Sequence, residues 1–155
     1  MWTSFVANGL FPLQERLKGH TTVAVRKAME ASQWLPPEQI AALQIQSLRA
    51  LLIDVATGVP YYRDLFARLK FDPQAVRQVS DLQALPFLDK ATIRAHTVAL
   101  KHQEARGLAR FNTGGSSGEP LIFFIGKERV SHDVAAKWRA TRWWGVDIGD
   151  PEIVV

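Results

Sequence analysis

The residues best suited to chemistry lie in one short stretch, Thr113 to Gly118, which is followed by Glu119 and Pro120. The stretch reads Thr-Gly-Gly-Ser-Ser-Gly, so three glycines and three hydroxyl side chains fall within six residues. Glycine lets a ligand approach the backbone closely, and hydroxyl and backbone N–H groups are donors to which phosphate oxygens bind well. The stretch is therefore a candidate phosphate-binding loop.

The same composition is also typical of a flexible turn or linker. The order of the residues excludes a loop of the G-x-x-x-x-G-K-[ST] type, because no lysine precedes the serines. The dinucleotide pattern G-x-G-x-x-G is absent as well, and an apolar run follows the loop where that pattern would open a helix. The residues alone leave the linker and the phosphate loop both open.

Two short strands are predicted to hold this loop. Leu108–Phe111 precedes it and Leu121–Ile125 follows it, and the second run is continuously apolar, as expected for a strand buried on both faces. Residues 108–126 should therefore form a hairpin-like pair. We expect the loop between the strands to be accessible to solvent, because a loop that clasps phosphate must stay open until its ligand arrives.

The rest of the chain predicts helices. Pro36-Pro37 and Gly58 bound a long helix whose apolar stripe we expect to be core, formed by Leu48, Leu51, Leu52 and Val55. Another helix should begin near Pro60. Ser80 and Asp89 are candidate caps of two short helical turns, 81–84 and 90–95.

The last predicted helix, Lys127 to Trp144, has basic and aromatic residues side by side. We interpret it as an amphipathic helix with a solvated basic face. A nucleic-acid-binding domain that uses this helix is one alternative function for the chain. A non-catalytic helical interaction module with an incidental Gly/Ser loop is another.

The predicted fold class is α/β, with a mostly helical N-terminal region at residues 1–105 and the start of an α/β subdomain at residues 106–155. The final residues, Glu152–Val155, read as the beginning of a strand. A sheet that stops there leaves an edge uncovered. We therefore expect the domain to be incomplete and the chain to be an N-terminal fragment, and a naturally short protein is the alternative.

Composition excludes several classes of site. The 155 residues carry a net charge of +4 and include no cysteine, so disulfides, thiolate catalysis and cysteine metal sites are excluded. His96 and His102 lack a metal-ligand spacing, and we predict no metal site. The N-terminus lacks the features of a signal peptide. We expect a cytoplasmic protein that binds neither a membrane nor nucleic acid.

At Thr113 to Pro120 the sequence resembles the phosphate-binding signature of the adenylate-forming (AMP-forming) enzymes, and within them the phenylacetate-CoA ligase and CapK-like capsule-biosynthesis branch. Many members have lysine at the position of Glu119, and the CapK-like branch often has glutamate there. Two upstream segments, Leu43–Phe66 with its Val-Pro-Tyr-Tyr-Arg and Ser80–Lys90 with its Leu-Pro-Phe-Leu, also resemble the family. The resemblance covers roughly residues 40–155, and family members continue much further.

The resemblance implies that the chain is the N-terminal portion of an ATP-dependent, AMP-forming carboxylic acid ligase and supplies its ATP phosphate-binding loop. ATP and Mg²⁺ are the implied cofactors, a small carboxylic acid is the substrate, and coenzyme A is often the acceptor. The residues implied to bind the nucleotide are Thr113, Gly114, Gly115, Ser116, Ser117 and Gly118. No catalytic residue is assigned, the acid is not identified, and the fragment alone is expected to be inactive.

Overall fold

The structure, a computed structural model, describes residues 2–113 and 120–151. The chain forms two compact units: a terminal unit, Met1–Leu35 with Gly126–Val155, and a central unit, Pro36–Ile125. The described part is mostly helical with one antiparallel pair of strands, so the predicted mixed fold class, helices followed by strands and a further helix, is confirmed. The predicted domain boundary near residue 106 stays a prediction.

The described elements are mostly α-helices, from 4 to 22 residues long, with one pair of strands before the last helix. In chain order they are α1 (Trp2–Phe5), a π-helical turn (Val6–Leu10), α2 (Phe11–Leu17), α3 (Thr22–Ser32), α4 (Pro37–Gly58), α5 (Pro60–Leu69), two 3-10 turns (Pro73–Ala75 and Val79–Ala84), α6 (Lys90–Ala95), β1 (Ala109–Asn112), β2 (Ile122–Ile125) and α7 (Lys127–Arg142). The predicted start and end of α4 and the start of α5 are confirmed.

The core of the central unit forms where α4 packs on α5. Its buried residues are Leu52, Leu65, Phe66 and Val76, and Leu48 and Val55 pack against them. The predicted stripe is wrong at Leu51, whose side chain is 57% exposed. Successive residues turn by about 100° around a helix. Because α4 contacts the core along a narrow face, the step from position 52 to position 51 leaves that face.

A buried carboxylate organises the terminal unit. Glu15 of α2 is 4% exposed and accepts hydrogen bonds from the Thr22 hydroxyl and from Nδ1 of His20, the latter at 3.0 Å. On the adjoining loop the Thr21 N–H donates to Oγ of Ser131 at 3.0 Å, which joins α3 to α7. Burial alone raises the pKa of Glu15, but these hydrogen bonds, with the charges of His20 and Lys18, bring the pKa below its ordinary value of 4.5.

Three helices are followed by a residue in the left-handed conformation. After α2, α5 and α7 a residue with positive φ follows the helix: Gly19, Lys70 and Gly145, with φ of 73°, 52° and 75°. After α5, the Phe71 N–H donates to the Phe66 carbonyl at 2.9 Å, the 6→1 bond of a Schellman motif. Lys70 is the unusual one of the three, because a residue with a Cβ is strained in this left-handed conformation.

The two predicted caps had different outcomes. Asp89 is confirmed as the cap of α6, since its carboxylate accepts the Thr92 N–H at 2.7 Å and this hydrogen bond lowers its pKa. Ser80 is wrong as a cap. The 3-10 turn there begins after Gln78, and Asp81 instead closes it by accepting the N–H groups of Arg77 and Gln78 at 2.8 and 3.1 Å.

We expect Lys70→Gly to raise the free energy of unfolding by about 0.5–1 kcal/mol, because relief of the left-handed strain exceeds the added entropy of the unfolded chain. Urea denaturation measures this change. The matched control is Ala67→Gly one turn earlier, inside α5, which should lower stability by about 1 kcal/mol. Equal losses in both variants would contradict the strain at Lys70.

We expect Glu15→Gln to lower the free energy of unfolding by about 1–3 kcal/mol at pH 7, because the charged hydrogen bonds of the buried carboxylate are lost. The folded-state pKa lies below 4.5, so the carboxylate stabilises the fold fully above that pH and less as the pH falls through the folded value. Thermal unfolding between pH 3 and pH 7 should show the two proteins converging at the acid end. The exposed Glu104→Gln is the control, and a difference that does not shrink with acid would refute the assignment.

Candidate functional site

The candidate loop is carried by the antiparallel strands β1 and β2. The register pairs Ala109 with Ile125 and Asn112 with Ile122, so the chain leaves β1 and enters β2 at the same end of the ladder. The predicted hairpin-like pair around the loop is therefore confirmed, each strand beginning one residue later than predicted. This pairing brings the two ends of the loop together.

Thr113 closes the base of the loop. Its N–H donates to the Leu121 carbonyl at 3.0 Å, and the Leu121 N–H donates back to the Thr113 hydroxyl oxygen at 3.0 Å. A hydroxyl that accepts one hydrogen bond keeps its own O–H to donate. The exposed Thr113 side chain therefore has a donor left for a ligand oxygen.

The other nucleotide-binding candidates are not placed by the structure. Gly114, Gly115, Ser116, Ser117 and Gly118 lie outside the described residues. Their predicted role and the predicted accessibility of the loop stay predictions. The structure contributes the closed base from which these residues extend.

The two faces of the strand pair differ. On one face the rings of Phe111 and Phe123 stack with centroids 6.1 Å apart, and they are 43% and 36% exposed. On the other face the Lys101 ammonium lies 3.7 Å from the centre of the Phe124 ring. The prediction that the second strand is buried on both faces is wrong, because an antiparallel pair can leave one side to solvent.

His102 fastens the segment before β1 to the junction of α4 and α5. The Glu104 N–H donates to Nδ1 of His102 at 3.2 Å, so a neutral ring carries its proton on Nε2, which lies 3.5 Å from the Asp54 carboxylate. The ring packs directly on Gly58, where an added Cβ would lie 1.8 Å from Nε2. The Gly58 carbonyl in turn accepts the Gln103 N–H at 2.8 Å. Sequence identified Gly58 as a helix end, but no local signal reveals this contact.

The basic and aromatic residues of α7 form contacts inside the terminal unit. Trp138 is 3% exposed, and its indole N–H donates to Asp147 at 2.6 Å. The Arg26 guanidinium stacks on the Trp138 ring at 4.3 Å, and Arg142 forms an ion pair with Glu30 at 3.0 Å. Trp138 is thus a core residue, as the amphipathic interpretation of this helix requires.

Two further properties bear on the kind of site. Within residues 2–113 and 120–151, no group of three histidine, aspartate or glutamate side chains is arranged to hold a metal ion. Helix α4 is long enough and apolar enough to cross a membrane by length and composition, which the core helices of soluble proteins also satisfy. Neither property assigns a function.

Comparison with known proteins gives one informative similarity. No protein-family profile matches the chain. Among curated proteins, a phenylacetate-coenzyme A ligase of Thermus thermophilus is 33% identical in an alignment of 93 positions that covers 57% of this chain and 20% of the ligase. The chain therefore spans about a fifth of the length of the curated relative that it matches. This distant similarity supports the adenylate-forming family, and the CapK-like branch stays a prediction.

We expect Thr113→Val to open the base of the loop, because valine keeps the shape of threonine and loses the acceptor for the Leu121 N–H. The loss of one such hydrogen bond corresponds to about 1 kcal/mol. Amide hydrogen exchange at Leu121 should accelerate in this variant and stay unchanged in Thr113→Ser, which keeps the hydroxyl. Equal exchange in all three proteins would show that the hydroxyl does not hold the base.

Proposed function

We propose that the chain is the N-terminal portion of an ATP-dependent, AMP-forming carboxylic acid ligase of the phenylacetate-CoA ligase type, and that residues 113–118 bind the phosphates of ATP. The similarity to the Thermus thermophilus ligase carries this proposal. The closed base at Thr113 and Leu121 supports it, because a loop with joined ends loses less entropy when it orders around a ligand.

The described residues near the loop offer a suitable electrostatic environment. Arg110 lies on β1 directly opposite Phe124, on the face where the Lys101 ammonium packs. Two positive side chains on that face lower the energy of a polyanion bound at the end of the strands. The Thr113 O–H adds a directed donor at the loop itself.

In this proposal the carboxylate of the acid displaces pyrophosphate from the α-phosphorus of ATP and forms an acyl-adenylate, and coenzyme A is the proposed acyl acceptor. The chain's own part is positioning: the loop holds the phosphate oxygens through hydroxyl and N–H groups. Mg²⁺ would screen the charge of the triphosphate and prefers phosphate oxygens with a few carboxylates. The described residues include no such carboxylate cluster, so the proposal places the ion on the nucleotide.

We expect the 155-residue chain to bind Mg·ATP with a Kd on the order of 1 mM or weaker, because a few loop contacts amount to about 4 kcal/mol. Titration followed by amide NMR shifts should move residues flanking the loop, Thr113 and Leu121 among them. Adenosine, which lacks phosphates, should leave them unmoved. The double variant Ser116→Ala/Ser117→Ala should lose the shifts.

The control is Ser80→Ala, a hydroxyl of the central unit that is not part of the loop sequence, which should titrate like the parent chain. Equal shifts with adenosine, or full binding by the loop variant, would refute the phosphate role. Carboxylate-dependent exchange of labelled pyrophosphate into ATP is expected to be absent for this chain, because the loop alone does not fix the base, the ribose and the α-phosphate. Robust exchange would show that this chain alone can position all of these groups, which the proposal denies.

A further inference from the structure

A basic cavity lies in the central unit. It has a volume of about 710 Å³ and is lined by Pro60 and by residues 94–99 and 101–103. Among the described residues, the lining includes the cations Arg94 and Lys101 and the histidines His96 and His102, and it includes no aspartate or glutamate. A concentration of one sign of charge around a concave surface favours an anionic ligand.

Contacts with neighbouring elements hold three of these basic side chains in place. The His96 ring packs on Tyr61 with centroids 5.2 Å apart, and Lys101 lies on Phe124 at 3.7 Å. His102 is fixed on Gly58, as described above. Groups that are already ordered lose less entropy when a ligand binds. The cavity is thus preorganised rather than a chance gathering of mobile surface charges.

The basic groups have different parts to play. The Asp54 carboxylate faces Nε2 of His102, and the Glu104 N–H occupies Nδ1, so His102 shapes the cavity and does not supply its main donor. The Lys101 ammonium has three N–H donors, and a cation on an aromatic ring can still donate away from that ring. Lys101 and His96 are therefore the direct donors.

We propose that this cavity binds the phosphate group of a phosphorylated small molecule. Charge-assisted hydrogen bonds to phosphate are stronger than hydrogen bonds between neutral groups, and lysine is a common phosphate ligand. The volume exceeds what a single phosphate needs and falls in the range of small-molecule sites. Pro60, Val98 and Ala99 give the organic part of such a ligand an apolar part of the lining.

The test uses inorganic phosphate as the probe and the whole chain as the protein. NMR of the His96 and His102 ring protons, at constant ionic strength, should show saturable shifts. Lys101→Met keeps the aliphatic contact with Phe124 and removes the charge, and it should weaken phosphate binding about 10-fold. Lys70→Met, an exposed lysine of the same unit outside the cavity, should leave binding unchanged. Unchanged thermal unfolding of both variants shows that folding is not the cause.

Several results would overturn the proposal: shifts that do not saturate, equal weakening by Lys101→Met and Lys70→Met, or full binding by Lys101→Met. The loop variant Ser116→Ala/Ser117→Ala separates this cavity from the proposed phosphate loop. If that variant alone abolishes the shifts, phosphate binds in the loop and the cavity proposal fails while the ligase proposal survives. If the loop variant fails to reduce ATP binding but Lys101→Met reduces phosphate binding, the cavity proposal survives and the loop proposal fails.

A second arm identifies the source of the phosphate. Mg·ATP should shift the same ring protons if the cavity takes a phosphate of the nucleotide, and the loop variant should then weaken that shift as well. If the shift with inorganic phosphate is unaffected by the loop variant and Mg·ATP produces none, the ligand is a separate phosphorylated molecule. Both results support the cavity, and absence of any shift with either probe overturns it.

Discussion

The strand pair depends on the contact between the His102 ring and Gly58. Only a residue without a side chain can lie there, since a Cβ would overlap the ring. Two antiparallel strands alone are at best marginally stable in water. The contact, with the hydrogen bond from the Gln103 N–H to the Gly58 carbonyl, attaches the segment before β1 to the helices that form the core. The junction of α4 and α5 therefore determines the position of the base of the loop.

One residue further back along that segment, Lys101 extends the attachment to the strands themselves. Its ammonium covers the Phe124 ring, while the stacked Phe111 and Phe123 on the other face stay partly exposed. The strand pair is thus anchored from one side. The same lysine lines the basic cavity, so a single side chain both packs against the strands and provides charge. An anion that bound Lys101 would act on the packing of β2 as well.

Features that depend on a few neighbouring residues could be predicted from the sequence. Proline and glycine mark the ends of α4, and Asp89 caps α6 through a hydrogen bond three residues away. The strands on both sides of the glycine loop follow from apolar runs. The predictions for Leu51 and Ser80 failed for the same reason. The burial of Leu51 and the capping role of Ser80 both depend on which other residues lie next to them in the fold. Periodicity gives the width of a helix face, and only packing decides how much of it is covered.

Contacts between distant residues could not be predicted in this way. Nothing in the local sequence of Gly58 reports a ring that lies more than forty residues later, at His102. Lys70 shows a related limit, since residue preferences favour glycine in its left-handed conformation and a lysine gives no signal for it. For the candidate site, the sequence was sufficient to predict the residues of the glycine loop and the strands on both sides of it. The closure by Thr113 and the basic cavity follow only from the fold.

The arrangement at Thr113 bears directly on how the loop could bind an anion. Its oxygen accepts a hydrogen bond from the Leu121 N–H, and a hydroxyl polarised in this way donates more strongly through its own hydrogen. The acceptor bond also fixes the oxygen against the second strand, so the donor does not have to be oriented when a ligand arrives. A phosphate oxygen bound there would complete a chain that runs from the Leu121 amide through the threonine hydroxyl to the ligand. The hydrogen bond from the Leu121 N–H to the Thr113 hydroxyl therefore both closes the base of the loop and orients the Thr113 O–H as a donor.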